Sequence, residues 1–469
     1  MLNYGAMAED IRFGTDGWRG VIARDFTFFN LARVATAYGR YLLAKGGKRV
    51  VVGYDTRFQA QAFAEEAAEV LAGLGLKAYL LQDPHPTPML SFAVRHLGAD
   101  GGLMLTASHN PPQYLGVKLK GPYGGSALPE EVKGVEALLP EAPSETRGRA
   151  EPLEVRTAYY EHLKELLDLE ALSRFPGVLY HDAMGGAGDS HLSAFLRHAG
   201  LALEVRELHN VPHPLFYGVN PEPLPKNLKT LLAVMGPEEA PTFAVATDGD
   251  GDRIAAVLPG GRFFNPHQVF AVLLRHLHAK GLSGGVVKNF AVSWIVDRLA
   301  ERLGLPVKTT PIGFKWITEA FLREDVLIGG EESGGIGVKG HLPERDGILN
   351  ALLLLESVAR TGKDLATQFR EIEALTGLTH AYDRLDLEIP TEGLLGLLEK
   401  LREPRPLAGL TPRGLEDLDG IKWVYEGAWV LFRPSGTEPL LRIYAEATEE
   451  EIVNALLKEA EALVRSLVP

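Results

Sequence analysis

What most limits the fold of this chain is a rhythm in which short, wholly apolar runs alternate with amphipathic stretches, the signature of an α/β protein. The segment RVVVGYDTR at 49–57 reads as a buried strand, and 60–74, rich in Ala and Glu, reads as a helix. KAYLLQ is a second strand, Pro84, Pro86 and Pro88 mark a turn, and GGLMLTASHNPP runs from a strand into a loop. Residues 139–152 mix Pro, Ser, Gly and charge and read as a linker.

The rhythm then restarts. A helix is expected over 157–169, followed by the strand GVLYHDAMGGAG, a helix over 190–199, a further helix near Leu228 and the strand TFAVATDGDGDR. A third unit runs from a helix over 267–278 through the strand GGVVKNFAV and the helix SWIVDRLAERLG to the strand VLIGGEESGG. The remainder, with HAYDRLDLEI, AWVLFRPSGTEPLLRIYAEA and a terminal helix from Glu449, reads as a smaller α+β domain. The expected organisation is three related α/β domains, 1–148, 149–257 and 258–376, and a smaller α+β domain at 377–469. A length of 469 residues accommodates that number at roughly 150 residues per domain, give or take one.

Composition narrows the chemistry. With 46% hydrophobic and 23% charged residues the chain has the balance of an ordinary globular protein. It contains 0 cysteines, which excludes disulfides, thiolate nucleophiles, iron–sulfur clusters and cysteine zinc sites, and fits a reducing cytoplasm. The opening MLNYGAMAEDIRF has early acidic residues and no apolar stretch, unlike a secretory signal. A net charge of −13 disfavours nucleic acid and anionic membranes as partners, though Arg and Lys gathered in a cleft can still hold a small anion.

Four loops carry chemistry. In TASHNPP, at 106–112, Ser108 follows a strand and precedes two prolines, which puts it on a rigid exposed turn; no GxSxG elbow surrounds it, and the adjacent His109 is poorly placed to serve it as in a hydrolase triad. In DGDGDR, at 248–253, Asp248, Asp250 and Asp252 share a face in extended chain, and the glycines let the backbone curl so that their oxygens converge. Such a cluster calls for a hard cation, and oxygen-only ligation suits Mg²⁺. An EF-hand is excluded, because Arg253 and Pro259 stand where Gly and Glu are needed. In GEESGG, at 330–335, Glu331 and Ser333 can hydrogen-bond neighbouring sugar hydroxyls, or equally form a plain turn. In RPSGTEP, at 433–439, Arg433, the hydroxyls of Ser435 and Thr437, and the N–H groups around Gly436 form a phosphate nest, or equally a polar hairpin turn. No GxGxxG after a strand, Walker A or HExxH motif is present.

These four loops, with FGTDGWRG at 13–20, resemble in order and spacing the α-D-phosphohexomutase family of phosphoglucomutases, phosphomannomutases and phosphoglucosamine mutases. The resemblance spans nearly the whole chain. It implies four domains around a central cleft, hexose phosphates as substrates, Mg²⁺, and a sugar 1,6-bisphosphate as intermediate and activator. Carried over residue by residue, it makes Ser108 the phosphoserine and a metal ligand beside Asp248, Asp250 and Asp252. Arg19, His109, Lys118 and Arg253 then surround the reacting phosphate, and Glu331 and Ser333 read the sugar. Arg433, Ser435, Gly436 and Thr437 become the distal phosphate loop. Lys288, Gly313, Lys315, His341 and Arg345 transfer as further substrate contacts from more variable strings. Leu115 departs from the family, which often has Asn there.

The implied reaction exchanges sugar 1- and 6-phosphates. The double Glu of GEESGG favours glucose, with mannose or dual specificity as the alternative. A haloacid-dehalogenase-type phosphatase or mutase fits poorly, since Asp252 occupies the place of its Thr. A non-catalytic sugar-phosphate sensor would be expected to have lost Ser108 or a metal aspartate, and all are present.

Overall fold

The computed structural model describes residues 11–389, 391–435 and 440–468. In it the first sheet runs Trp18–Val21, Tyr114–Lys120, Gly101–Leu105, Arg49–Tyr54, Lys77–Leu81 and Glu151–Leu153. Arg49–Tyr54 lies parallel between Gly101–Leu105 and Lys77–Leu81 and is buried on both faces, which is why 50–54 reads as a continuous apolar run. Two expectations need correcting here. The end of the 139–152 linker is itself an edge strand, since Glu151–Leu153 pairs in parallel with Lys77–Leu81. Pro88 lies inside a helix rather than a turn: Thr87–His96 starts after Pro86, and a proline in the first turn forfeits no helical hydrogen bond.

The second sheet orders Arg262–Phe264, Ile254–Leu258, Phe243–Thr247, Leu179–Asp182 and Val205–Leu208. The third orders Val307–Thr310, Gly285–Asn289, Val326–Gly330 and Ile336–Val338. All three share one device: a parallel strand turns through a short loop into an antiparallel return strand. Gly101–Leu105 returns as Tyr114–Lys120, Phe243–Thr247 as Ile254–Leu258, and Val326–Gly330 as Ile336–Val338. The serine, aspartate and GEESGG loops occupy those three turns, so backbone ladders pin both ends of each.

The last sheet is antiparallel throughout, in the order Ala381–Glu388, Leu440–Ala447, Ala428–Pro434, Ile421–Tyr425 and Gly414–Glu416, with the helix Glu450–Leu467 packed on it. Three related α/β units and a smaller α+β unit are therefore present, as the fold class expected. No helix among the described residues is long and apolar enough to cross a membrane.

The C-terminal unit docks on the third through Phe290, Ala291, Trp429, Leu431 and Tyr444, and through one carboxylate. Glu446 accepts hydrogen bonds from Ser293 Oγ, from the Trp294 N–H at 3.1 Å and from Trp429 Nε1, with His380 Nδ1 2.9 Å away. Burial pushes this carboxyl up, but its bonds to His380 and Ser293 outweigh that and hold it at about 2. A depressed folded pKa stabilises fully above the ordinary glutamate range and loses its effect as pH falls toward 2. Glu446→Leu strands the buried donors and should cost about 3–5 kcal/mol. Calorimetry should show a lower melting temperature at neutral pH, with the gap to wild type narrowing as the pH is taken down.

Candidate active site

Ser108, expected on an exposed turn, is instead fully buried against the aspartate loop and sits in the left-handed region at φ 50°, unusual for a residue with a side chain. Its Oγ donates to Asp248 Oδ2 at 2.9 Å, so the first two loops meet directly. They meet only because residue 249 is glycine: a Cβ there would stand 2.4 Å from the Ser108 carbonyl oxygen.

The three aspartates are fully buried, with ligand oxygens that all lie within 4.8 Å of one another. Their convergence comes from the turn rather than from strand alternation. The strand ends at Thr247, and Gly251 takes φ 69°. Lys118 Nζ donates to Asp250 Oδ2 at 2.7 Å and to Asp252 Oδ2 at 2.8 Å, while Asp248 Oδ1 accepts the Arg253 N–H at 3.1 Å. Asp250 Oδ1 and Asp252 Oδ1 remain buried without a hydrogen-bond partner. Burial, and after it repulsion from Asp250 and Asp252, pushes the Asp248 carboxyl well above the usual range. Orphaned carboxylate oxygens beside a hydroxyl are a donor set that fits a hard divalent cation such as Mg²⁺.

Charge of the opposite sign surrounds this cluster. Asp16 joins Lys118 Nζ, 2.9 Å away, to Arg345, whose guanidinium also reaches Asp252 at 3.1 Å and Glu331 at 3.7 Å. Burial pushes the Asp16 carboxyl up, but Lys118 and Arg345 outweigh it and hold the group well below the usual range. Arg19 donates to Asn110 Oδ1, Arg253 Nε stands 3.9 Å from Asp248 Oδ2, and His109 Nδ1 lies 3.4 Å from Ser108 Oγ. Burial first, then Arg253 and Arg19, depress the His109 imidazole well below its ordinary value.

Arg19, His109 and Arg253 line one pocket of about 70 Å³ together with Gly313, Glu331, Ser333 and Arg345. Arg433 and Ser435 close it from the C-terminal unit. Glu331 Oε1 accepts the Gly313 N–H at 2.9 Å, and Glu332 Oε2 accepts Asn289 Nδ2 at 2.6 Å. The Ser435 N–H donates to the Leu440 carbonyl at 2.8 Å, at the end of the antiparallel pair Ala428–Pro434 and Leu440–Ala447; Gly436 and Thr437 lie outside the described residues.

Three of the residues expected as substrate contacts are not brought to this pocket. Lys288 Nζ donates to the Val292 carbonyl at 3.0 Å and pairs with Asp297 at 2.7 Å. Both ring nitrogens of His341 are engaged away from the cleft, Nε2 with Asp346 and Nδ1 with His162, each at 2.9 Å. Lys315 lies over the Trp316 ring and is not among the lining residues. Leu115 is fully buried in the first sheet opposite Gly20, where an apolar side chain suits the core. Asp16, Glu222, Arg384 and Arg442 line the pocket without having been singled out from the sequence. Asp16 stood inside the quoted FGTDGWRG string, whereas the other three lie in stretches without a motif.

Comparison with known proteins agrees with this arrangement. Models of the phosphoglucomutase/phosphomannomutase α/β/α domains I, II and III match residues 10–145, 157–261 and 265–375, and that of the C-terminal domain matches 389–463. A phosphoglucomutase/phosphomannomutase of Thermococcus kodakarensis is 31% identical over 447 residues, 94% of this chain and 95% of that protein. A protein of Methanopyrus kandleri provisionally named phosphoglucosamine mutase is 31% identical over 462 residues, 97% of this chain and 98% of its own. A crystal structure from Thermus thermophilus with a provisional phosphomannomutase name superposes with a TM-score of 0.91 at 62% identity, over 98% of this chain and 100% of that one.

A chain with this fold and this ring of loops belongs to the phosphoglucomutase/phosphomannomutase family. It is a phosphohexomutase, an enzyme that moves a phosphoryl group between positions of one sugar.

Because the aspartates are held by turn geometry and Lys118 rather than by a core, Asp250→Asn should fold normally yet lose about 10²–10³ in kcat, the scale for removing one charge-stabilising group. Thermal melting, steady-state rates and Mg²⁺ titration by calorimetry would check it; unchanged rate and metal affinity would contradict the assignment.

Proposed function

We propose that the protein interconverts glucose 1-phosphate and glucose 6-phosphate through a phosphoryl group carried on Ser108 and a glucose 1,6-bisphosphate intermediate. The observation that carries this reading is Ser108 Oγ, aimed at Asp248 from a strained backbone next to His109, which lines a pocket that Arg433 and Ser435 close from the C-terminal unit. Asp248, Asp250, Asp252 and the Ser108 oxygen would hold Mg²⁺, which when bound supplies charge compensation on the phosphoryl oxygens.

The residues of the chain do the rest by position. A sugar hydroxyl attacks phosphorus in line as the Ser108 Oγ–P bond breaks, giving up its proton to a base on the sugar's side while Ser108 Oγ takes one up; His109 Nδ1, 3.4 Å from Oγ, stands at that leaving-oxygen end. Arg19, Arg253 and Lys118 offset the charge on the moving group, while Glu331 and Ser333 hold the sugar. Arg433 and Ser435 grip the non-reacting phosphate, so either phosphate can take that place after the bisphosphate turns over. Return of the other phosphoryl group to Ser108 completes the cycle.

Glucose is favoured by the paired Glu331 and Glu332. The phosphomannomutase name of the 62% identical Thermus protein favours a second reading, mannose phosphates in the same site. A coupled assay with glucose, mannose and glucosamine phosphates side by side decides between them: kcat/KM should be highest for glucose, and a higher value for mannose would reverse the order. Intact-mass analysis should find phosphate on Ser108, and full activity in Ser108→Ala would sink the covalent route. Arg433→Ala should raise KM and slow turnover while Ser108 still carries phosphate. Small-angle scattering of the free and sugar-phosphate-bound protein should register closure of the cleft.

A further inference from the structure

Arg57 is fully buried just beyond the strand Arg49–Tyr54 and lines no part of the substrate pocket. Its guanidinium donates to four carbonyl oxygens of a single loop: Nη1 to Pro111 and Tyr114, both at 2.9 Å, and Nη2 to Ser108 at 2.8 Å and Asn110 at 2.7 Å. Its Nε faces Asp55 Oδ2 at 3.3 Å, and the Phe216 ring of the second unit lies 4.8 Å from its Cζ. Asp55 Oδ2 also accepts from Thr106 Oγ1 at 2.6 Å, and Thr106 Oγ1 accepts the Ser108 N–H at 2.8 Å.

Ser108 is thus held from both sides, its carbonyl by Arg57 and its N–H by Thr106. A residue with a side chain keeps a positive φ only where its surroundings over-determine it. These bonds do that, and they bear on little else, because the neighbouring strands keep their own ladders. Planar bidentate donation to several oxygens is what guanidinium does and an ammonium does not.

We propose that Arg57, with the Asp55–Thr106 pair, is the positioning brace of the reactive loop, setting the direction of Ser108 Oγ toward Asp248 while leaving sugar recognition to the other loops. The proposal rests on the reading of Ser108 as the phosphoryl carrier. A brace that fails lets the phosphoryl group drift from the in-line geometry, which slows transfer without loosening substrate.

The test compares Arg57→Lys, Thr106→Val and Thr106→Ser in the full chain, with glucose 1-phosphate as substrate and glucose 1,6-bisphosphate to load Ser108. Arg57→Lys and Thr106→Val should lower kcat on the order of 10²-fold, the scale for an ångström of misplacement, with KM unchanged. Thr106→Ser, which keeps the hydroxyl, should recover most of the rate. Wild-type kcat in both Arg57→Lys and Thr106→Val overturns the brace. So does a Thr106→Ser no better than Thr106→Val, or a kcat loss matched by a rise in KM. If Arg57→Lys does not fold, the Thr106 pair carries the same comparison. Intact-mass analysis of the loaded wild-type protein is read separately: activity without phosphate on Ser108 would remove the phosphoserine reading itself, whatever the variants do.

Discussion

Four carboxylates, those of Asp16, Asp248, Asp250 and Asp252, are packed against four basic side chains, Arg19, Lys118, Arg253 and Arg345, and the layout of the cleft follows from matching those charges. The groups come from three different sheets, so the match exists only when the three units are packed together. An unpaired charge at such depth is strongly destabilising, which makes the knot a reason for one arrangement of the units over others. A hydroxyl there that carried phosphate would add about 1.5 to 2 negative charges. A divalent cation would offset that added charge, and the oxygens without partners on Asp250 and Asp252 lie in the same place.

Bringing these groups to one point depends on a shared piece of backbone design. In each of the first three sheets a parallel strand ends at the cleft and its return strand pairs antiparallel beside it. A loop pinned by ladders on both sides has little freedom, so its side chains can be presented at fixed distances without a large local core. Glycine is required where two such loops touch, as at Gly249 against the Ser108 carbonyl. The C-terminal unit uses the antiparallel pair Ala428–Pro434 and Leu440–Ala447 to the same end, with the Ser435–Leu440 backbone bond beside it.

The α/β class and the four chemical loops were legible in the sequence because buried parallel strands read as apolar runs and because the loops are dense in Gly, Asp and Ser. The return strands were not. Ile254–Leu258 directly follows DGDGDR, and Ile336–Val338 spans only three residues, too short to show a period. Arg384 and Arg442 were equally invisible: each is one polar residue on a strand, and only the register that sets Asp386 opposite Arg442 gathers them. Lys288 and His341 show the reverse case, in which a plausible polar residue is consumed by a neighbour: Asp297 takes the lysine, and Asp346 with His162 takes the imidazole. Arg57 was read as the end of a strand, because nothing in the string YDTR reveals that four carbonyls of a loop about fifty residues later converge on it.

The size of the pocket carries a further consequence. At about 70 Å³ it is far below the roughly 300–1,000 Å³ typical of ligand sites. A larger cavity of about 620 Å³ adjoins it, sharing Glu222, Glu332, Ser333 and Arg384. Between the two stands the ion pair of Arg384 with Glu222, 3.2 Å apart, which ties the C-terminal unit to the second. On its other side the same unit is tied to the third through Glu446. A hexose phosphate fits only if the small pocket widens, and the two ties differ in how readily they yield. Glu446 gathers donors from Ser293, Trp294 and Trp429 in a buried interface, whereas the Glu222–Arg384 pair flanks open space and Arg384 already has Asp386, at 2.9 Å, as a second partner. The Glu222–Arg384 pair is therefore the weaker of the two ties, and it is the one that stands between the cavity and the pocket.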